Sequence, residues 1–179
     1  MEGQEQQIKK AAANVGKQIN REKAEEVKAS MERAVRKGAT AKDVLGLTDA
    51  MVEGIYGQAY RLYNTGKYKE AAQIFRLLLM INATEPKYSM GLAATLHMMK
   101  DYDSAIAAYA AVFTMDPFNP IPYYHSADCF IQKGDTFSAI IALQTAVKKS
   151  TDRPEYKTLQ DRAVMMIESL KKELAKTGL

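Results

Sequence analysis

Few side chains in this chain could carry chemistry. Its 179 residues include one cysteine, Cys129, and two histidines, His97 and His125. Nucleophilic catalysis needs a nucleophile within reach of a base, and a third group that orients the base. Neither histidine has an obvious carboxylate and nucleophile around it, so each reads as a packing or surface-lining residue. Cys129 stands beside Phe130 and reads as a buried free thiol. One cysteine cannot close a disulfide within the chain, and with two histidines it falls short of a Cys/His structural zinc site. Gly66 and Gly134 are solitary glycines rather than a phosphate-cradling loop. The sequence therefore predicts no enzyme, no metal and no cofactor.

What the chain does have is ten tyrosines and ten methionines. Tyrosine offers contact area with a hydroxyl that tolerates water, and methionine adapts its packing to varied ligands. Those properties suit binding rather than catalysis. Charge narrows the partner. The formal net charge is +4, of which residues 1–40 carry +3, and no stretch is strongly basic. A nucleic-acid groove gathers its cations on one face, so nucleic acid is disfavoured. Apolar residues make up 47% and charged residues 26%, as in an ordinary globular chain. No apolar run, Leu77 to Ile81 included, approaches the roughly 18–20 residues that cross a bilayer. The start, Met-Glu-Gly-Gln-Glu-Gln-Gln, lacks the basic-then-apolar pattern of a signal peptide. These readings predict a cytoplasmic protein without stable membrane insertion, and the cysteine usage fits a reducing compartment.

Self-similarity shows which elements position the aromatic residues. In rows of 34 that start at Val52, Pro86 and Pro120, column eight reads Ala59, Ala93, Ala127. Column twenty reads Ala71, Ala105, Ala139, and column twenty-four reads Phe75, Tyr109, Leu143. The turn at column fifteen reads Gly66, Lys100, Gly134. Each row therefore holds two helices around a tight turn. Small residues let the pair approach closely, and the residue at column twenty-four fills the space beside them. Glycine suits the left-handed conformation at a helix end, which Lys100 must tolerate at some cost. Pro86, Pro120 and Pro154 fit first helical positions, with Asn119 as an N-cap. This pattern is that of the tetratricopeptide repeat, whose units stack because one pair cannot bury its own apolar face.

The predicted fold class is all-α: three tandem repeats (52–85, 86–119, 120–153) in a curved solenoid, with an N-terminal helix and a C-terminal capping helix. The domains follow as 1–47 for the helical extension and linker, 48–153 for the repeats, and 154–179 for the cap. In the cap, Leu159, Ala163, Met166, Ile167, Leu170 and Leu174 recur at helical spacing. Residues 4–37 are rich in helix formers, with Gly38 as a C-cap. Residues 38–48 read as a linker with a short apolar piece, Val44 to Leu47. Thr48 or Asp49 would cap the first repeat's helix.

In repeats of this type the first helix of each pair lines the inner surface. Its inward columns give Glu53, Tyr56, Gly57, Tyr60, Tyr63 and Asn64 in the first row. The second row gives Lys87, Met90, Gly91, Ala94, His97 and Met98. The third gives Ile121, Tyr124, His125, Asp128, Ile131 and Gln132. So apolar and aromatic a surface marks an interaction site. Gly91 and Ala94 leave space opposite the tyrosines for a bulky side chain. A buried apolar anchor contributes about 1.5–3 kcal/mol. Association costs roughly 4–15 kcal/mol. A few anchors therefore need a longer extended segment, or contacts outside the groove.

Three stretches carry a closer resemblance. The first runs from Leu47-Thr48-Asp49 through Ile55-Tyr56, Ala59-Tyr60 and Tyr63 to Gly66-Lys67-Tyr68. The second is Met90-Gly91-Leu92-Ala93-Ala94 with Asp101-Tyr102-Asp103. The third is Pro122-Tyr123-Tyr124-His125-Ser126-Ala127-Asp128-Cys129 with Gln132-Lys133-Gly134-Asp135. Together they resemble the class II chaperones of bacterial type III secretion systems, over roughly residues 44–172. Lys100 and Thr136 depart from the family pattern, away from the groove. The resemblance implies a cytoplasmic chaperone that binds hydrophobic, pore-forming translocator proteins and keeps them soluble and unassembled before export. It also implies an extended client segment in the concave groove. The expected groove residues are Tyr56, Tyr60, Tyr63, Met90, Ala94, His97, Ile121, Tyr124, His125 and Asp128. Members of that family often dimerise, so a homodimer is a second implied partner. The alternative is a general tetratricopeptide scaffold for a peptide of another protein, including a secretion regulator. The cationic clamp of such scaffolds is missing: its positions hold Tyr56, Tyr60, Gly91, Ile121 and His125.

Overall fold

A computed structural model describes Glu25, Ala29 and residues 41–177. The chain divides into two compact units, Met1–Thr48 and Asp49–Leu179. In the first unit, Glu25 and Ala29 are helical, and a one-turn helix α1 spans Ala41–Val44. The rest of the expected 4–37 helix and Gly38 lie outside the described residues. The expected linker, 38–48, contains α1. Gly46 takes φ 63°, its N–H donates to Asp43 O, and the Leu47 N–H donates to Lys42 O. This paired bonding closes a helix end.

The second unit is built from α2 (Asp49–Asn64), α3 (Tyr68–Ile81), α4 (Pro86–Met98), α5 (Tyr102–Met115), α6 (Ile121–Gln132) and α7 (Thr136–Ser150). A 3-10 turn at Pro154–Tyr156 leads into α8 (Lys157–Thr177). The three intra-repeat turns are copies of one another. Gly66, Lys100 and Gly134 have φ of 76°, 62° and 78°. Each donates its N–H to the carbonyl three residues back, and the following N–H reaches five residues back, as in Asp101 to Leu96. The next residues, Lys67, Asp101 and Asp135, share φ near −85°, at −84°, −85° and −87°. Asp101 accepts from the Ser104 N–H at 3.3 Å and Asp135 from the Ser138 N–H at 3.0 Å, whereas Lys67 makes no side-chain cap.

Pro86 occupies the first turn of α4 as expected. Pro120 stands one residue earlier than expected, at the cap position of α6 with helical φ and ψ, while Asn119 Oδ1 accepts the Ile121 N–H at 3.0 Å. Pro154 opens the 3-10 turn rather than an α-helix. The α2 helix begins at Asp49, directly after Thr48.

Packing explains the repeated spacing of small residues along the rows. Ala59, Ala93 and Ala127 are fully buried, and so are Ala71, Ala105 and Ala139. Phe75, Tyr109 and Leu143 are buried beside them. Within the second unit each helix packs on the next in sequence. First helices of neighbouring repeats also touch (α2 with α4, α4 with α6, α6 with α8), and second helices do not meet to that extent. The stack is therefore tighter on its first-helix side, which makes that side concave. At the far end α8 buries Ala163 and Leu170 against Ala127, Ala139 and Leu143, with Met166, Ile167 and Leu174 packed around them. Its polar face, including Asp161, Arg162, Glu168, Lys171 and Lys172, is exposed as expected of a cap.

Candidate binding groove

The concave face is apolar at the junction of the first two repeats. A cavity of about 190 Å³ opens there between α2 and α4. Tyr56, Tyr60 and Tyr63 form one wall because their spacing of four and three puts them on one stripe of α2. Met90 and Ala94, one turn apart on α4, form the other. Five of the expected groove residues thus share a single cavity. Tyr56 stands 6.5 Å from Tyr60, 6.2 Å from Phe75 and 5.9 Å from Tyr88, ring centre to ring centre. Tyr60 is 54% exposed, so this wall is open to a ligand and not sealed by the protein's own side chains. Burial, aided by neighbouring Tyr68 and Tyr60, pushes the Tyr63 phenol above its usual pKa, so the hydroxyl stays protonated at neutral pH.

Three residues that line this cavity, Phe75, Lys87 and Gly91, were not in the expected set. Phe75 reaches in from α3, although column twenty-four pointed only to packing between paired helices. Lys87 belongs to an inward column, and its Nζ lies 2.5 Å from Glu53 Oε1 and 4.9 Å from the Tyr56 ring centre. That placement satisfies the ammonium at the rim of an apolar hole. One expectation is overturned. The space that Gly91 leaves is already filled: a Cβ there would lie 2.2 Å from the Phe75 ring. Gly91 serves close packing of Phe75, and the room for a ligand lies beside it.

At the junction of the second and third repeats the face turns polar. His97 Nε2 on α4 lies 2.8 Å from Asp128 Oδ2 on α6. The sequence reading found no obvious carboxylate and nucleophile around either histidine; the structure adds a carboxylate beside His97. The signal was present: both residues occupy inward columns of adjacent first helices, which places them side by side. His97 also meets the Tyr102 ring edge-on at 6.0 Å. His125 stacks on Tyr109 at 6.1 Å and meets Tyr124 at 5.6 Å. Burial lowers the His125 pKa, nearby His97 lowers it further, and Asp128 opposes both. His125 is therefore neutral at pH 7. Tyr124 packs against the core formed with the capping helix, and Ile121 is half-buried at the start of α6, so these two contribute more to packing than to the open face. Cys129 is buried against Ala93, Leu96 and Tyr109, and burial pushes its thiol up to about 11. Such a thiol is protonated and unreactive at neutral pH.

No group of three metal-ligating side chains occurs among the described residues, and no helix among them is long and apolar enough to cross a membrane.

The described residues form a concave helical-repeat stack with an aromatic cavity, and comparison with known proteins gives its family. Family models described as tetratricopeptide repeat match residues 52–83 and 96–163. The chain is 32% identical over 147 residues to the low calcium response locus protein H of Yersinia pseudotuberculosis, covering 82% of this chain and 88% of that one. It is 33% identical over 138 residues to the chaperone protein SicA of Salmonella dublin, covering 77% and 81%. Among solved structures it is similar to the Yersinia enterocolitica type III secretion chaperone SycD in complex with a peptide of the translocator YopD. That likeness has a TM-score of 0.68 and 31% identity, over 70% of this chain and 96% of that one. The chain belongs to the tetratricopeptide-repeat family of type III secretion translocator chaperones.

Proposed function

We propose that this protein is a cytoplasmic, non-enzymatic chaperone that holds an extended segment of a hydrophobic translocator in its concave groove. The observation that carries the reading is the open cavity walled by Tyr56, Tyr60, Tyr63, Met90 and Ala94. A similar chain is known bound to a translocator peptide. A cavity of this size takes one apolar side chain, and the face beyond it, with His97, His125 and Asp128, takes the chain that follows. Ile121 and Tyr124 shape the end of that path. Binding a segment that would otherwise drive self-association lowers the free concentration of the aggregation-prone client. The arrangement requires neither nucleotide nor metal.

Co-expression with the hydrophobic proteins encoded beside the chain tests this reading. At least one of them becomes soluble and co-purifies with it. A Tyr60→Glu variant retains its helicity, because Tyr60 is exposed, but it loses about tenfold or more in affinity by placing a charge in an apolar site. Unchanged affinity of that variant removes Tyr60 from the groove, and failure of every candidate to co-purify removes the chaperone reading.

A further inference from the structure

Covering the second half of the concave face creates an electrostatic problem that the first half does not. Asp128 has 42% of its side chain exposed, and His97 Nε2 is the side-chain nitrogen set against it. An ionised carboxylate has about four lone-pair sites for donors. His97 approaches only Oδ2, at 2.8 Å. A client segment laid over Asp128 takes water from the remaining sites. Burying that charge without replacing the lost donors costs more than losing a neutral hydrogen bond. A segment that binds well must therefore bring a donor to this point.

An extended chain brings one N–H per residue whatever its side chains, and each N–H needs an acceptor when it leaves water. Strong acceptors are scarce along the face. Glu53, held by Lys87 through Oε1, stands at the apolar cavity of the first repeat junction, so Asp128 is the inward carboxylate at the second junction. The cavity wall offers rings, a thioether and a methyl group, with tyrosine hydroxyls as its polar atoms. Asp128 offers a charge-assisted bond, which is stronger than a neutral one.

We propose that Asp128, set beside His97 where the second and third repeats meet, is a main-chain docking point that accepts a backbone N–H of the segment held in the groove. This rests on the groove reading above. The apolar cavity takes a side chain, and Asp128, on the first helix of the third repeat, takes the backbone. Two unlike contacts at separate repeat junctions fix the register of the segment, which anchors alone leave free to slide.

The probe is a peptide of the translocator YopD, titrated by calorimetry into the intact chain. Each backbone amide of the peptide is replaced in turn by an ester, which deletes one N–H and keeps every side chain. One ester position weakens binding to the wild-type chain by about tenfold or more. Asp128→Ala weakens the parent peptide to a similar degree and is insensitive to that same ester. Asp128→Asn, which keeps an acceptor oxygen in the same place and is the milder change for folding, gives an intermediate loss. Wild-type affinity of Asp128→Ala, or an equal loss at every ester position, overturns the docking point and leaves the groove standing. Dependence of Asp128 on a Lys or Arg side chain of the peptide, with no sensitive ester, overturns it in favour of side-chain recognition. If the parent peptide does not bind the wild-type chain, the groove reading fails and the docking point falls with it.

Discussion

Gly91 shows how one missing carbon shapes the groove. Its backbone is helical, so the glycine answers to space and not to conformation, and that space holds the Phe75 ring. Phe75 is buried in the core, and its whole ring must shift towards the cavity to admit a Cβ. Gly91→Ala is therefore expected to destabilise the fold by about 1–3 kcal/mol, as overpacking does, and to distort the cavity floor. Chemical denaturation measures it, and an unchanged midpoint contradicts the packing described. His125 carries a second expectation at this scale. Its folded pKa is depressed while its unfolded value is near the ordinary 6.5. The unfolded chain thus binds more protons as pH falls below that value, so stability drops from there until the pH passes the folded pKa. In His125→Gln that part of the pH dependence is lost, which denaturation at pH 7.5, 6.5 and 5.5 compares. Sequence spacing placed Tyr56, Tyr60 and Tyr63 on one stripe because helical periodicity alone decides that. It missed the role of Phe75, which depends on how far α3 leans over α4, a quantity that only packing sets.

The turns decide where each element stops. Glycine at column fifteen was readable as a helix end, and Lys100 as its costly substitute, because a positive φ penalises any Cβ. The structure bears this out at 62° for Lys100. A left-handed conformation costs a non-glycine residue roughly 1–2 kcal/mol, partly offset by the greater chain entropy of glycine. Lys100→Gly should stabilise by about 0.5–1 kcal/mol, raising the melting temperature by about 2–4 °C. A fall in melting temperature contradicts it. The one-turn helix α1 was less legible. A single turn has too few residues for a periodic apolar pattern, and its mark is the Gly46 bonding pattern, which is a property of the backbone. The pairing of His97 with Asp128 was half legible. The columns put both on the inner face, but the contact depends on how closely α4 and α6 approach.

At the scale of the whole repeat unit, curvature turns an amphipathic stack into a binding surface. The repeats are tighter on the first-helix side, so residues that would be a flat stripe converge around a hollow. The capping helix closes the far end of the core, which leaves the concave face for a partner. The opposite side also exposes apolar residues, Phe137 at 61% and Ile141 at 64% among them, so exposure by itself does not single out the groove. A cavity of about 270 Å³ lined by Phe113, Tyr123, Phe130 and Ile141 lies there too, so the groove is favoured by its concave position and by the likeness to a peptide-bound chaperone, not by a hollow alone. The most direct measurement places a photoreactive benzoyl-phenylalanine at Tyr60 or at Phe137 and irradiates cells that co-express a hydrophobic translocator. Binding in the groove yields a translocator adduct from position 60 and none from position 137. Adducts from position 137 with none from position 60 would place the client on the other side of the stack and contradict groove binding.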